Sequence, residues 1–263
     1  MPEEPLVQPA YMLAHRGLKP GQRAFAAAVL CFRNWENSRR ALRRLGARPV
    51  RRRYLSFVQG AEGPSGLWSC RIAGQRVAVL PHLVWGGPSV AVVVEELAAL
   101  GVRWALGFGA SGALREDLWP GTIVGAERAL VSCGTSREYT RERVVGADPE
   151  LLQLARKLAT EAGVTIRWGT AWTTDTLYRE LPSRVRAWRR RGADWLNMET
   201  ASFYAVAAHT GVRALHLGPI SDVLAGQSWD TWYRDLTGPD EVTVRLCRRV
   251  LERVLEPGSP GQG

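Results

Sequence analysis

Two hydrophobic periods alternate along this chain, and they predict strands and helices that follow one another. The stretch 24–31, AFAAAVLC, is a short and continuous apolar run, as is typical of a buried strand. Residues 102–112, VRWALGFGASG, predict a second buried strand that ends in a glycine-rich loop. Residues 148–163 instead repeat leucines at helical spacing, with Asp148 as N-cap, Pro149 in the first turn and a closing Gly163. The pattern favours an α/β protein.

The remaining elements fit the same class. Residues 66–85 predict a hairpin with a Gly-Gln turn, and the basic stretch 36–53 predicts a helix closed by Gly46. A last amphipathic helix is expected to open at Asp240-Glu241. No repeat or linker divides the chain. We therefore predict one domain over residues 1–263, a mixed central β-sheet flanked by helices, with flexible tails at 1–10 and 257–263.

The stretch 195–227, WLNMETASFYAVAAHTGVRALHLGPISDVLAGQ, organises the rest. It predicts a polar lead-in, a helix that starts at Glu199, a stop at Gly211, a buried strand, and a loop that begins near Asp222. Both carboxylates then lie at the carboxyl edge of the sheet, where α/β enzymes place their chemistry. Taken alone, Asp222 after a strand is better explained by an Asx-turn or an N-cap.

The net charge favours anionic partners in general but does not identify a particular one. The chain carries a net charge of +10, and 46% of its residues are hydrophobic. Such a charge favours phosphate, nucleotides or nucleic acid, and it is also what an arginine-rich solvated surface produces. The arginines of 36–53 allow a nucleic-acid helix or a solvated helix face.

The sequence gives little support for a bound cofactor, a metal site or a membrane-spanning segment. The four cysteines are scattered without C-x-x-C spacing, so we expect reduced core thiols and no metal site. The glycines at 107, 109 and 112 are not followed by a helical pattern, which argues against a dinucleotide fingerprint. The sequence has no signal-peptide pattern and no apolar run of about 18 residues. We expect a cytoplasmic protein without cofactor.

Four motifs carry a resemblance to a known family. They are His15-Arg16-Gly17-Leu18, Gly86-Gly87-Pro88-Ser89 before a Val-Glu-Glu-Leu helix, Asn197-Met198-Glu199, and Ser221-Asp222. The chain resembles the purine nucleoside phosphorylase and uridine phosphorylase family, including its nucleosidase branch. The resemblance implies a nucleoside phosphorylase-like fold, homodimers or homohexamers with shared sites, and a His15 that reaches into a neighbouring subunit's site.

The resemblance also implies roles for individual residues. Glu199 would hold the ribose hydroxyls and stabilise a cationic sugar, with Asn197 beside it and Met198 packed under the ring. Asp222, oriented by Ser221 and with a pKa raised by burial, would protonate a purine at N7. Leu177 stands where the family has a base-stacking aromatic residue, and Tyr178 follows it. Base specificity therefore stays open.

The phosphate site departs most from the family. A strand-end arginine and a loop hydroxyl that hold phosphate are replaced by Gly107 and Ala110, although Ser111 follows, and the Gly-Asp-Pro loop after the first strand is missing. Arg33 and Arg53 are the possible anion ligands that remain. Because one preorganised donor is worth roughly 2.7–4 kcal/mol in a transition state, water becomes the better acceptor. The sequence narrowly favours a purine nucleosidase over phosphorolysis, and a non-catalytic nucleoside-binding member remains the alternative.

Overall fold

The computed structural model describes residues 4–19, 22–33, 35–52, 54–55, 66–83, 85–225, 229 and 235–258. Helices and strands alternate along this part of the chain. The α-helices are α1 (Pro9–Ala14), α2 (Trp35–Arg43), α3 (Gly87–Ala99), α4 (Gly134–Tyr139), α5 (Pro149–Glu161), α6 (Pro182–Arg190), α7 (Thr200–Thr210) and α8 (Thr237–Leu255). The strands are β1 (Ala27–Cys31), β2 (Arg48–Pro49), β3 (Trp68–Ile72), β4 (Gln75–Leu80), β5 (Trp104–Phe108), β6 (Ser111–Ala113), β7 (Ile123–Leu130), β8 (Val144–Gly146), β9 (Arg167–Thr173), β10 (Trp195–Asn197) and β11 (Arg213–Val223). A 3-10 turn covers Leu177–Arg179.

The strands form one mixed sheet in the order β2-β3-β4-β1-β5-β11-β6-β10-β9-β7-β8. β1, β4, β5 and the first half of β11 run parallel to one another. The antiparallel pairing of β11 with β7 then closes β11, β6, β10, β9 and β7 into a ring. The predicted fold class, a mixed central sheet flanked by helices, is confirmed.

Helices cover both faces of the parallel region, so its strands are apolar on both sides. β1 and β5 are buried along their whole length. On one face α3 and α7 pack against the sheet, and Phe203 is fully enclosed there. On the other face lie α2, α5 and α8, with Leu151 and Leu251 in that core. Among the described residues, no helix is both long and apolar enough to cross a membrane.

Local signals explain several boundaries. The Asp148 side chain accepts the Leu151 N–H at 2.9 Å and so caps α5 as predicted. Gly211 ends α7 with φ +72°, a left-handed conformation that glycine adopts without steric cost. The four cysteines are free and buried.

Other boundaries differ from the prediction. The hairpin turns at Ala73-Gly74, both with positive φ, rather than at Gly-Gln. The stretch 102–112 forms two strands, β5 and β6, and the lead-in at 195–197 is itself the strand β10. α8 begins at Thr237, one turn before Asp240. The predicted tail 257–263 falls largely outside the described residues.

Candidate active site

Sheet register brings the two predicted carboxylates to one edge. β6 lies between β10 and β11, and Gly112 pairs with Leu196 on one side and with Asp222 on the other. Neighbouring strands are about 4.8 Å apart, so Leu196 and Asp222 lie about 10 Å apart across Gly112. Glu199 lies two residues after β10, and Asp222 lies within β11 rather than past its end. Because β10 runs antiparallel to β6 and β11 runs parallel to it, the two carboxylates approach each other across β6 and not as ends of parallel strands.

Glu199 is a buried carboxyl group with two backbone donors. It is the N-cap of α7, only 4% exposed. Its Oε1 accepts the Gly86 N–H at 3.0 Å, and its Oε2 accepts the Met198 N–H at 3.1 Å. Gly86 has φ +99°, outside the range of other residues, and this conformation places the Gly-Gly turn before α3 against Glu199. Burial outweighs the two donors and raises the pKa of Glu199 to about 7.

Asn197 links the two halves of the site. Its Oδ1 accepts the Thr200 N–H at 3.2 Å, which fixes the amide orientation, and its Nδ2 donates to Thr200 Oγ1 at 2.7 Å. Nδ2 also lies 3.4 Å from Ser111 Oγ, and the Ser111 carbonyl oxygen lies 3.3 Å from Ser221 Oγ. The single hydroxyl proton of Ser221 is donated to the nearer acceptor, Asp222 Oδ1, at 2.6 Å. Polar contacts therefore connect four of the predicted residues, Asn197, Ser111, Ser221 and Asp222, from β10 to β11.

His216 is a member of this network that sequence reasoning missed. Thr200 Oγ1 lies 2.8 Å from His216 Nδ1 and also accepts from Asn197 Nδ2. Burial lowers the pKa of His216 to about 3, so the imidazole is neutral. Its Nε2 is buried and has no hydrogen-bond partner among the described residues. One histidine inside an apolar strand gives no sequence signal for such a role.

Asp222 is held at the mouth of the site. A β-bulge between Ile220 and Asp222 turns the strand there. Besides Ser221, the Trp229 Nε1–H donates to Asp222 at 2.9 Å. A Cβ built on Gly112 would lie 3.2 Å from the Asp222 carboxylate, so glycine leaves this group open on the side of β6. The Ser221 hydroxyl and the Trp229 indole therefore each hold one oxygen of this carboxylate.

Glu180 is a second missed residue, and it lies close to Asp222. It follows the 3-10 turn at Leu177–Arg179. Burial, with a smaller contribution from the Asp222 charge, raises its pKa to about 7. One of its oxygens is buried and has no hydrogen-bond partner among the described residues. The protonated form of Glu180 is therefore favoured beside Asp222.

Three aromatic rings fill the space at Gly107. A Cβ at this position would lie 2.9 Å from His216 Cδ2, 2.9 Å from Phe32 Cε2 and 3.0 Å from Phe203 Cε1. Such distances leave no room for any side chain at residue 107, least of all an arginine. The strand end where the resemblance placed a phosphate-binding arginine is therefore neutral and closed by packing.

Arg33 is engaged in a buried ion pair. Its Nε lies 3.1 Å from Asp240 Oδ2, and the two side chains are 8% and 0% exposed. Burial raises the pKa of Asp240 to about 7, and the positive charge of Arg33 opposes that rise. Asp240 opposes Arg33 from α8, so the positive charge that Arg33 would offer to phosphate is already compensated.

We expect Asp240→Ala to lower the free energy of unfolding by about 3–5 kcal/mol, because it leaves Arg33 buried without its counter-charge. Urea denaturation at pH 7.5 measures the loss. Glu241→Ala is the matched control, since its partners Arg40 and Arg44 are mostly exposed and their ion pairs are worth about 0–1 kcal/mol. Recovery of the lost stability by millimolar phosphate would instead identify Arg33 as an anion ligand.

The remaining predicted residues are dispersed. His15 is exposed at the end of α1, and no described hydrogen bond connects it to Glu199 or Asp222. Leu177 and Tyr178 are 45% and 93% exposed, on the turn that leads to Glu180. Ala110 is half-buried between β5 and β6. Arg53 lies outside the described residues.

Comparison with known proteins identifies relatives over most of the chain. The family model described as the phosphorylase superfamily matches residues 61–256. A DeoD-type purine nucleoside phosphorylase of Geobacillus kaustophilus is 30% identical over 210 residues, covering 75% of this chain and 88% of the relative. The protein of the same name from Caldanaerobacter subterraneus is 32% identical over 197 residues, 72% of this chain and 81% of the relative.

Solved structures share the fold at lower identity. Purine nucleoside phosphorylase of Toxoplasma gondii, in complex with immucillin-H, aligns with a TM-score of 0.76 at 17% identity, over 97% of this chain and 99% of that one. The 5′-methylthioadenosine/S-adenosylhomocysteine nucleosidase of Campylobacter jejuni aligns with a TM-score of 0.69 at 16% identity, over 87% and 99%. The predicted nucleoside phosphorylase-like fold is confirmed.

Proposed function

The chain belongs to the phosphorylase superfamily, and on that premise we propose that it hydrolyses the N-glycosidic bond of a purine nucleoside. It is an enzyme of the nucleoside phosphorylase and nucleosidase kind. Cleavage of the glycosidic bond is common to the activities named for its relatives and structural neighbours. The comparisons do not distinguish water from phosphate as the acceptor of the ribosyl group. The proposal of water as the acceptor therefore rests on the geometry of the site.

The main observation in favour of hydrolysis is that aromatic rings fill the space at Gly107. A phosphate acceptor needs concentrated positive charge next to the anomeric carbon. Here Phe32, Phe203 and the neutral His216 enclose the strand end, and Arg33 is paired with Asp240. Water carries no charge to be neutralised, so an uncharged strand end suffices for it.

The proposed mechanism uses three groups. Ionised Glu199 accepts hydrogen bonds from the ribose hydroxyls and stabilises positive charge on the sugar as the bond to the base lengthens. Asp222, oriented by Ser221, protonates the departing purine at N7, and the neighbouring Glu180 carboxyl group supplies the proton. Water adds to C1′ and loses a proton to solvent, so the products are free base and ribose. Met198 and Asn197 shape the floor beneath the sugar.

The site is proposed to be shared between subunits of a homodimer or homohexamer. His15 is exposed and outside the hydrogen-bonded network of its own chain, which fits a role in the site of a second copy. Sedimentation analysis of the wild-type protein, with His15→Ala assayed beside it, tests this part. A monomer with full activity would contradict it.

A nucleoside panel tests the function. Inosine, adenosine, guanosine, uridine and methylthioadenosine are each incubated with the protein, and released base is separated by chromatography. We expect release from at least one purine nucleoside, at a rate that is equal with and without phosphate, and slower release from uridine, which has no N7. Release from uridine alone, or from none of the five, would contradict the proposal.

A further inference from the structure

A cavity of about 350 Å³ opens at the end of the sheet opposite to the candidate active site. Most of its wall consists of residues just before or at the first positions of β1, β4 and β5, three neighbouring parallel strands, and Arg71 of β3 and Leu255 of α8 complete it. The carboxyl ends of the same strands point towards the other edge, where Glu199 and Asp222 lie. The cavity is therefore a separate place in the fold.

Four arginines dominate its lining, and no acidic residue belongs to it. The arginines are Arg23, Arg71, Arg76 and Arg103. No carboxylate in the described part of the chain pairs with Arg23, Arg71 or Arg76, whereas many other arginines of this protein do form ion pairs. Several like charges around one cavity repel one another unless an anion enters. The lining therefore favours a multiply charged anion.

Two of the guanidinium groups are held in place before any ligand arrives. Arg76 lies over the Phe25 ring at 4.6 Å and over the Tyr54 ring at 5.1 Å, and its Nη1 donates to the Tyr54 hydroxyl at 3.0 Å. Arg103 lies 4.7 Å over the buried ring of Trp104. Rings that hold a guanidinium plane reduce the entropy lost when that plane binds an anion.

The partial negative charge at the C-terminus of α3 opposes anion binding in this cavity, but this charge is small. α3 ends beside the cavity, and a helix C-terminus carries about half a negative charge. The Leu100 carbonyl at this end already accepts the Ala24 N–H at 2.8 Å. The charges of Arg23, Arg71 and Arg76 alone outweigh this partial charge, so the net field attracts anions.

We propose that this cavity is a binding site for an oligophosphate group, either free or as part of a nucleotide. Its volume lies in the range of small-molecule sites and exceeds the space that one orthophosphate needs. Backbone donors nearby are occupied, since the N–H groups of Ala26 and Arg103 bond to carbonyls. Guanidinium forks, which bind phosphate oxygens in pairs, would therefore supply the hydrogen bonds.

Calorimetry at constant ionic strength tests the proposal with tripolyphosphate, ATP and sulfate as the probes. The variant Arg23→Gln/Arg71→Gln removes two exposed charges from the cavity. The control Arg43→Gln/Arg245→Gln removes two exposed charges elsewhere, from α2 and α8. We expect the cavity variant to weaken tripolyphosphate binding by about tenfold or more, because two charge-assisted contacts are lost, and the control to weaken it less than about threefold.

Comparison of the three ligands shows whether the cavity binds a free oligophosphate or the phosphate chain of a nucleotide. Equal affinity for tripolyphosphate and ATP would support a site for the phosphate chain alone, and tighter ATP binding would support a nucleotide whose base also contacts the wall. In both cases sulfate should bind more weakly. Equal weakening in the two variants, unchanged affinity in the cavity variant, or no binding of tripolyphosphate to the wild type would overturn the proposal.

Discussion

Asp222→Asn is expected to lower kcat for adenosine or inosine by about 10²–10⁴-fold, the usual contribution of a positioned general acid. The amide still accepts a hydrogen bond from Ser221 or Trp229, so the loop keeps its anchor while the transferable proton is lost. Steady-state kinetics with each nucleoside measures the loss. Circular dichroism and denaturation midpoints show whether the variant folds as the wild type does.

A substrate that needs no proton isolates the role of Asp222. In 7-methylguanosine the base already carries a positive charge at the methylated imidazole ring, so its departure requires no general acid. We expect Asp222→Asn to retain most of its activity on this nucleoside. Asp117→Asn makes the same chemical change on an exposed carboxylate that pairs with Arg115 and Arg167, and it should leave both rates unchanged. Equal losses on methylated and unmethylated substrates would remove the acid role from Asp222.

Glu199→Gln is expected to lower kcat by about 10²–10³-fold, since a neutral amide stabilises a cationic sugar far less than a carboxylate does. In the wild type the reactive form is the ionised one. Because the pKa of Glu199 is raised to about 7, kcat/KM for adenosine should rise as the pH increases from 6 to 8. The Glu199→Gln variant should lack this rising limb of the pH profile of kcat/KM.

Glu180→Gln identifies which carboxyl group produces that limb. Glu180 also has a pKa raised to about 7, but the proposed mechanism uses its protonated form, so Glu180 predicts activity that falls with pH where Glu199 predicts activity that rises. If Glu199 is responsible, the rising limb persists in Glu180→Gln at reduced kcat. Disappearance of the limb in Glu180→Gln, with its retention in Glu199→Gln, would reverse the assignment.

The same raised pKa predicts a pH-dependent stability difference. Above pH 4.5 the unfolded chain releases the Glu199 proton, whereas the folded chain keeps it until about pH 7, so the free energy of unfolding falls as the pH rises. Between pH 4 and pH 9 the titration of Glu199 lowers the free energy of unfolding of the wild type by about 3 kcal/mol. The Glu199→Gln variant has no carboxyl group at this position and does not lose this stability. Relative to the wild type, the variant should therefore gain stability with rising pH. Parallel stability curves would show that Glu199 has an ordinary pKa in the folded protein.

Local rules account for what the sequence predicted well. The α5 helix carries its own cap at Asp148, and α7 carries its own stop at Gly211, so both boundaries follow from neighbouring residues. Glu199 and Asp222 were expected together at the carboxyl edge of parallel strands, but β10 runs antiparallel to β6 and β11 runs parallel to it, so they approach each other across β6 instead. The two helix boundaries need only short-range pattern.

The rest depends on partners distant in sequence. Asp240 was expected to open an amphipathic helix, and it instead lies buried inside α8, where it pairs with Arg33 from the segment after β1. His216 gains its neutral form from burial, and Glu180 gains its raised pKa from burial and from Asp222. None of these pairings has a fixed spacing in the chain. The bulge that places Asp222 inside β11 is likewise set by the closure of the sheet through β6.

The most direct test of the central claim identifies the sugar product. Adenosine is incubated with the wild-type protein at saturating phosphate, the reaction is stopped at neutral pH, and ribose is separated from ribose 1-phosphate. With Gly107 closed by three rings and Arg33 paired, we predict free ribose, formed at a rate that phosphate does not change. Ribose 1-phosphate as the product, with base release that stops when phosphate is removed, would contradict the account.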